Sequence, residues 1–206
     1  MVQAAEPDLR AYEQLLAAPV SAGARFGVAL NVVDYAGLDA DPRLPQVVAA
    51  LATFPTARLA KGAELLAFHL NAYTILTLAL VARHWPLAGI KDIGNFWWPV
   101  WRRSAGAIDH NDVSLDDIEH KRLRPLGDPR MHFAIVCASV SCPDLRLEAY
   151  RAQTLDRQLD DQVRRFLANP AKGLRVDGNV AHLSKIFEWY AVDFARTGGV
   201  AAFIAR

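Results

Sequence analysis

The long apolar segment at residues 61–85, KGAELLAFHLNAYTILTLALVARHW, most constrains how this chain can fold. Its apolar residues point in nearly every direction around a helix, which is typical of a helix buried on all sides. The uninterrupted apolar part, around ILTLALVA, is too short to span a bilayer. We therefore predict no membrane span, and a central core helix that ends before Pro86.

Other segments of the sequence predict the helices and strands that surround this core helix. Helical spacing predicts helices at residues 7–20, 41–54, 114–124, 143–170 and 185–197. Ser114 is the expected N-cap of the third, with Asp117 completing a variant of the capping box. Alternating or apolar runs predict strands at residues 95–103, 106–113 and 130–139, and a hairpin at 173–184 that turns at Asp177-Gly178.

These segments indicate the fold class. Helices outnumber strands, and the strands come in clusters rather than in βαβ alternation. We therefore predict a single α+β domain over residues 1–206, mostly helical and packed on a small, largely antiparallel sheet. A permuted papain-like or transglutaminase-like arrangement is one form that such a domain takes.

Composition excludes several partners. The 206 residues are 52% apolar and 22% charged with a net charge of +1, which is typical of a globular protein. No basic stripe is present, so we predict no nucleic-acid partner, and we predict no cofactor. The start, MVQAAEP, is either a native cytoplasmic start or the first residues after a cleaved export signal.

Cys137 and Cys142, in CASVSCP, are the only cysteines of the sequence. Pro143 suits the first turn of a helix, so we expect Cys142 at a helix N-cap, where a thiolate and an oxyanion are stabilised. Cys137 ends an apolar strand and is expected to be a buried thiol. A Cys137–Cys142 disulfide is the alternative, although it would close only a short loop.

Three residues near these cysteines are candidates for acid–base chemistry. Glu119 shares a helix face with Leu115 and Leu123 and is therefore expected to face the core. A buried carboxylate needs a partner, and the available partners are His120, His132, Arg124 and Arg130. We choose His120 as the base for Cys142, with His132 anchoring Glu119.

Further polar and aromatic residues have simpler interpretations. Asn71 lies in the core helix and either holds a loop or orients an imidazole. Arg130 is expected to pair with a nearby carboxylate or to help bind a ligand. Tryptophans cluster in the 95–103 segment and either pack in the core or line a groove. The remaining histidines, at positions 84, 110 and 182, are expected on the surface.

Seven segments in order resemble the domain-of-unknown-function 547 family: VDYAGL, LAFHLNAYT, IKDIGN, SLDDIEH, DPRMHFAIVCASVSCPDLRLEAY, QLDDQVRRFL and LSKIFEWYAVDF. The resemblance runs from about Tyr12 to Phe194. It implies no established activity, and it favours export because bacterial members are often exported. His69, Thr74 and Val136 depart from the pattern of this family.

Three functions remain open at this point. The first is a cysteine-dependent hydrolase or acyltransferase acting on an amide or ester, with Cys142 as nucleophile, His120 as proton shuttle and Glu119 or Asn71 as orienting group. The second is a binding module for a peptide or small ligand with a structural Cys-His loop. The third is a metal site, but the spacing of His120, His132, Cys137 and Cys142 matches no standard zinc motif, so we predict none.

Overall fold

The structure, a computed structural model, describes residues 8–205. The expected start of a mature chain at residues 1–6 lies outside this range. Within it the α-helices are α1 Arg10–Ala17, α2 Tyr35–Asp39, α3 Arg43–Thr53, α4 Ala63–Arg83, α5 Leu155–Ala168, α6 Ile186–Trp189, α7 Ala191–Phe194 and α8 Val200–Ile204. A π-helix covers Asp117–Leu123, and short 3-10 helices lie between these elements.

Helix α4 is the centre of the core, as the sequence predicts. Every residue from 66 to 82 is buried. Among the described residues this helix alone is long and apolar enough to cross a membrane. However, 94% of its most apolar 18-residue stretch is buried inside the protein. Its apolar circumference is therefore satisfied by other parts of the same chain.

Three antiparallel hairpins make up the strands of the described chain, and together with the helices they confirm the α+β prediction. The pairs are β1 Val20–Arg25 with β2 Val28–Val33, β3 Ser104–Ile108 with β4 Asn111–Ser114, and β5 Leu174–Asp177 with β6 Val180–Leu183. They form separate two-stranded sheets rather than one sheet. The extent of a single domain over residues 1–206 and its papain-like arrangement stay predictions.

The second hairpin differs from its prediction. Residues 95–103 do not form a strand; they form a loop and the 3-10 helix Val100–Arg102. The junction between the two predicted strands, residues 104–106, lies inside β3, and the turn is at Asp109 and His110, whose φ values are 51° and 61°. At Gly106 of β3 an added Cβ would lie 2.7 Å from Cδ2 of Leu76, so this glycine allows the hairpin to pack closely on α4.

The third hairpin is confirmed, but its turn is shifted by one residue. Asp177 pairs with Val180, so the two-residue loop consists of Gly178 and Asn179. Gly178 has a φ of 58°, the left-handed conformation that glycine adopts without steric cost. A glycine in the first central position is typical of a type II′ turn.

The capping box at the start of the π-helix is confirmed. The Ser114 hydroxyl accepts from the Asp117 N–H at 3.0 Å, and the Asp117 carboxylate accepts from the Ser114 N–H at 3.0 Å. Leu115, Glu119 and Leu123 are all buried, as their shared face predicts. Segments with π-helical bonding are rare and occur frequently at functional sites.

Two other predictions around the cysteines are wrong. Residues 130–139 are not a strand, because Asp128 accepts from the Arg130 N–H at 3.0 Å and begins the 3-10 helix Pro129–Phe133. No helix begins at Pro143, and the next helical residues start at Ala152. A buried apolar run alone does not distinguish a strand from other buried backbone.

The predicted C-terminal helix is broken at Tyr190, which separates α6 from α7 with φ −114° and ψ 24°. The phenylalanines of α5 to α8 pack with Phe133 in a second, aromatic core cluster, formed by Phe133, Phe166, Phe187, Phe194 and Phe203. The break turns the side chain of Tyr190 towards the π-helix, where it contacts Glu119.

Replacing Leu115 with alanine is expected to lower the free energy of unfolding by about 2–5 kcal/mol, because the side chain is fully buried and its removal leaves a cavity. Leu147→Ala removes the same atoms from a side chain that is 52% exposed, and it should cost less than ~1 kcal/mol. Urea denaturation followed by circular dichroism measures both. Equal losses would contradict the core position of Leu115.

Candidate functional site

The two cysteines form a disulfide between Cys137 and Cys142. The prediction of a buried thiol beside a reactive thiol is therefore wrong for this form of the protein. The chain turns back between them because Ala138 adopts a left-handed φ of 52° and the Cys142 N–H donates to the Ser139 carbonyl at 3.0 Å. Sequence spacing permits this pairing but does not show that the backbone reverses.

The expected N-cap position of Cys142 is also wrong. The residues after Pro143 are loop up to Arg151, so no helix dipole acts on the sulfur. The Cys142 residue is 8% exposed, and its sulfur is already bonded. In this oxidised form Cys142 has no thiolate to act as a nucleophile.

The disulfide loop, residues 136–145, forms one wall of a cleft that we call the disulfide cleft. The cleft has a volume of about 380 Å³, within the range of small-molecule sites. Strand β2 and one side of α4 form its other walls. The apolar lining includes Leu30, Val32, Leu78, Val81, Trp85, Leu87, Val136 and Val140.

A polar group lies at the disulfide-loop side of this cleft. Asp144 accepts from Lys172 Nζ at 2.6 Å and from the Asn31 N–H at 3.2 Å. The Lys172 side chain is only 2% exposed, so its charge is neutralised by Asp144 where water has little access. The amide of Asn31 also donates to the Leu145 carbonyl at 2.8 Å, which ties β2 to the disulfide loop.

Glu119 belongs to a different, partly buried group, which we call the Glu119 cluster: Glu119, His120, Arg124, His132, Tyr190 and Asp193. The Tyr190 hydroxyl donates to Glu119 Oε1 at 2.5 Å. Burial raises the pKa of the Glu119 carboxyl above its ordinary value, and the Tyr190 hydrogen bond opposes that effect. The core-facing prediction is confirmed, but the hydrogen-bond partner is Tyr190 rather than a histidine or arginine.

His132 joins this cluster from the 3-10 helix Pro129–Phe133. Its ring stacks on that of Tyr190 with 3.8 Å between centroids, and its Nε2 lies 2.8 Å from Asp193 Oδ2. Arg124 holds the same carboxylate through two hydrogen bonds of 2.7 and 2.9 Å. Since Arg124 already balances the Asp193 charge, burial dominates and lowers the pKa of His132 to about 4.

His120 lies at the exposed edge of the cluster. Its Nδ1 is 3.1 Å from Arg124 and its Nε2 is 3.5 Å from Asp116. Within residues 8–205 no hydrogen bond, ion pair or ring contact joins Cys142 to His120, Glu119 or His132. The structure thus groups the predicted acid–base residues with one another. Their catalytic roles stay predictions.

Asn71 and Arg130 hold neighbouring segments in place. Asn71 donates to the Tyr150 carbonyl at 2.8 Å and accepts from the Tyr150 N–H at 2.9 Å, so it fixes the loop that follows the disulfide. Arg130 pairs with three carboxylates, those of Asp128, Asp156 and Asp160. These contacts agree with the simpler interpretations of both residues, and roles in ligand binding stay predictions.

Sequence reasoning missed the C-terminal half of the Glu119 cluster, Tyr190 and Asp193. Their spacing of three residues in EWYAVDF was an available signal, because residues three apart share a helix face. Across residues 8–205 no group of three metal-ligand side chains is close enough to hold an ion. The sulfurs of the proposed histidine–cysteine metal set are bonded to each other.

Chemically, the Glu119 cluster ties three distant segments together through desolvated charges and hydrogen bonds. The π-helix supplies Glu119 and Arg124 follows it directly, the 3-10 helix supplies His132, and the C-terminal helices supply Tyr190 and Asp193. The Nδ1 atom of His132 is buried without a hydrogen-bond partner. A group with these perturbed pKa values is suited to proton transfer or to a pH-sensitive clamp.

We expect the protein to lose stability as the pH falls from about 6.5 towards 4, the folded pKa of His132. Unfolded histidine binds a proton below ~6.5, whereas buried His132 stays neutral until about pH 4, so acid favours the unfolded chain. At ~1.4 kcal/mol per pKa unit, the loss from this residue is up to about 3 kcal/mol.

The check is the free energy of unfolding between pH 4 and 8 for wild type, His132→Asn and His182→Asn. The raised pKa of Glu119 has the opposite effect, destabilising the fold as the pH rises above its unfolded value. That effect is common to all three proteins. His132→Asn should reduce the acid loss, whereas His182→Asn, at an exposed site, should not. Part of the loss remains in His132→Asn because burial also lowers the pKa of His69 to about 4. Parallel curves for all three would contradict the buried neutral His132.

Comparison with known proteins gives a family but no activity. The family described as "Protein of unknown function, DUF547" matches residues 57–167. This match covers α4, the second hairpin, the π-helix, the disulfide loop and most of α5. No curated protein and no solved structure matched the chain. Since the family match spans more than half of the sequence, the chain belongs to the DUF547 family.

Proposed function

We propose that the protein is a binding module for a small, mainly apolar ligand or a short apolar peptide segment, and that the disulfide cleft is its binding site. The observation that carries this proposal is that the disulfide loop forms a wall of the cleft. The cleft is lined by Val136, Ala138, Ser139, Val140 and Pro143 of this loop. A mostly apolar cavity with a few polar groups at one place is the usual form of a small-molecule site.

The walls of the cleft are held in place before any ligand arrives. The disulfide closes the loop on one side, and Asn31 ties β2 to the loop on the other. The hydroxyls of Thr74 and Thr77 donate to carbonyls of their own helix at 3.1 and 2.8 Å, so these donors are already used within the protein. Ordering these groups in advance lowers the entropy cost of binding.

Thr74 of α4 and Val136 of the disulfide loop line the cleft from two different walls. The disulfide supports an exported location, because disulfides persist in oxidising compartments.

The competing proposal is a cysteine-dependent hydrolase or acyltransferase acting on an amide or ester. It requires a reduced Cys142, whose neighbour Pro143 lines the cleft, so a free thiolate would lie beside a bound ligand. It also requires His120 to approach the sulfur as base, with Glu119 orienting it. The binding proposal needs neither change and is therefore preferred.

Ser139→Trp should weaken ligand binding, because Ser139 is exposed and lines the cleft, and a large ring there fills it. The probe is the uncharged dye N-phenyl-1-naphthylamine, whose fluorescence rises in an apolar site. Ser141→Trp is the matched control, since Ser141 is exposed in the same loop and does not line the cleft. We expect at least a tenfold weaker affinity for the first variant, and equal affinities would contradict the proposal.

The competing enzyme is tested by reducing the disulfide and alkylating with iodoacetamide across a pH series. The binding proposal expects a Cys142 thiol with an ordinary pKa near ~8.5 and no turnover of p-nitrophenyl acetate above that of Cys142→Ser. A thiolate formed well below that pH, with ester turnover lost in Cys142→Ser and His120→Asn, would support the hydrolase instead.

A further inference from the structure

A second cleft lies beside the C-terminal end of α4 and shares no lining residue with the disulfide cleft. Its volume is about 620 Å³. Leu80 and Ile93 supply its apolar surface, and its functional groups come from Arg83, His84, Trp98, Arg103 and Ser104. The Ser104 hydroxyl donates to the carboxylate of Asp112, which is not itself part of the lining. No acidic side chain belongs to its lining in the described chain, so we call it the arginine cleft.

The two arginines make few contacts within the described part of the chain. Arg83 donates to the Ala105 carbonyl at 3.5 Å, and Arg103 donates to the Trp98 carbonyl at 3.4 Å. Neither forms an ion pair with another residue between positions 8 and 205. A guanidinium has five N–H donors in a planar fork, so most of the donors of both side chains are left for an anion, which such forks bind in bidentate geometry.

Trp98 presents an exposed aromatic face at the same cleft. The side chain is 59% exposed, yet its backbone is fixed: its N–H donates to Asn95 Oδ1 at 2.7 Å and its carbonyl accepts from the Asn95 N–H at 3.1 Å. An added Cβ at Gly94 would lie 2.4 Å from the Val100 nitrogen, so this loop packs closely on the chain that follows it. The backbone that carries the indole is thus fixed at the cleft, and the exposed ring offers a stacking surface.

His84 offers one further polar atom. Its Nδ1 lies 2.8 Å from the Leu80 carbonyl, and because a carbonyl only accepts, Nδ1 carries the proton. In the neutral ring Nε2 is then an acceptor, suited to a hydroxyl or N–H of a ligand. The cleft therefore combines two anion donors, a stacking surface and one acceptor.

We propose that the arginine cleft binds an aromatic molecule that carries a phosphate or carboxylate group. The anion lies between the guanidinium groups of Arg83 and Arg103, and the aromatic ring stacks on the indole of Trp98. This site is separate from the apolar site of the disulfide cleft and does not depend on it. It assigns a role to the tryptophan-rich segment, whose exposed rings do not pack in the core.

The experiment is isothermal titration calorimetry of the full chain with phenyl phosphate and with benzoate, which distinguish the two anions, and with inorganic phosphate and phenol as half-ligands. Saturable binding of at least one aromatic anion, weaker binding of its half-ligands, and weakening by added salt are expected. No saturable binding of either aromatic anion, or inorganic phosphate binding as tightly as phenyl phosphate, would overturn the proposal.

Variants identify the residues that bind. Arg83→Gln and Arg103→Gln should each weaken binding at least tenfold, whereas Arg102→Gln removes the same charge from an exposed neighbour outside the cleft and should change affinity less than twofold. Trp98→Ala should weaken binding of the aromatic anion but not of inorganic phosphate. Equal effects of Arg83→Gln, Arg103→Gln and Arg102→Gln would show a general charge effect and overturn the site.

Two further measurements keep these results interpretable. Arg103 also holds the Trp98 carbonyl, so circular dichroism and melting temperature accompany each variant, and Arg83→Gln tests the anion site without touching that contact. Ser139→Trp should leave binding of the aromatic anion unchanged. If Ser139→Trp instead abolished that binding, the anion would occupy the disulfide cleft and the arginine cleft would be rejected.

Discussion

The enclosure of α4 on every side is the constraint on which the rest of the structure depends. A helix of 21 residues with no polar face is stable in water only when other elements cover it. Helices α2 and α3, strand β3 and the π-helix all contact it. Among its buried polar side chains, Asn71 fixes the backbone of Tyr150 with both halves of its amide. The core helix thereby also sets the position of the loop after the disulfide.

The two clefts both lie beside the C-terminal half of α4. Thr77 and Val81 line the disulfide cleft, and Leu80 and Arg83 line the arginine cleft. Because successive residues of a helix are rotated by about 100°, a short segment of α4 serves both clefts from different sides. The chemistry of each cleft comes from the loops beside the helix, since α4 itself offers mostly apolar surface.

The sequence predicts the parts of this fold that depend on local rules. The burial of α4, the capping box of Ser114 and Asp117, and the buried face with Glu119 all follow from periodicity and capping. The errors come from long-range effects. Whether the chain reverses between Cys137 and Cys142 depends on the backbone of Ala138, and the partner of Glu119 lies 71 residues away. Local sequence patterns do not indicate which distant side chain contacts a buried residue.

The motifs that carry the family resemblance divide between two places in the molecule. CASVSCP forms a cleft wall, whereas the glutamate of DIEH, the histidine of DPRMH and the tyrosine of EWYAVDF meet in the Glu119 cluster. A ligand at the disulfide cleft would contact the first group only. The Glu119 cluster instead fixes the C-terminal helices, whose phenylalanines pack around Phe133. Since Phe133 lies four residues before Cys137, this packing anchors the base of the disulfide loop, so the cluster supports the cleft wall through the aromatic core.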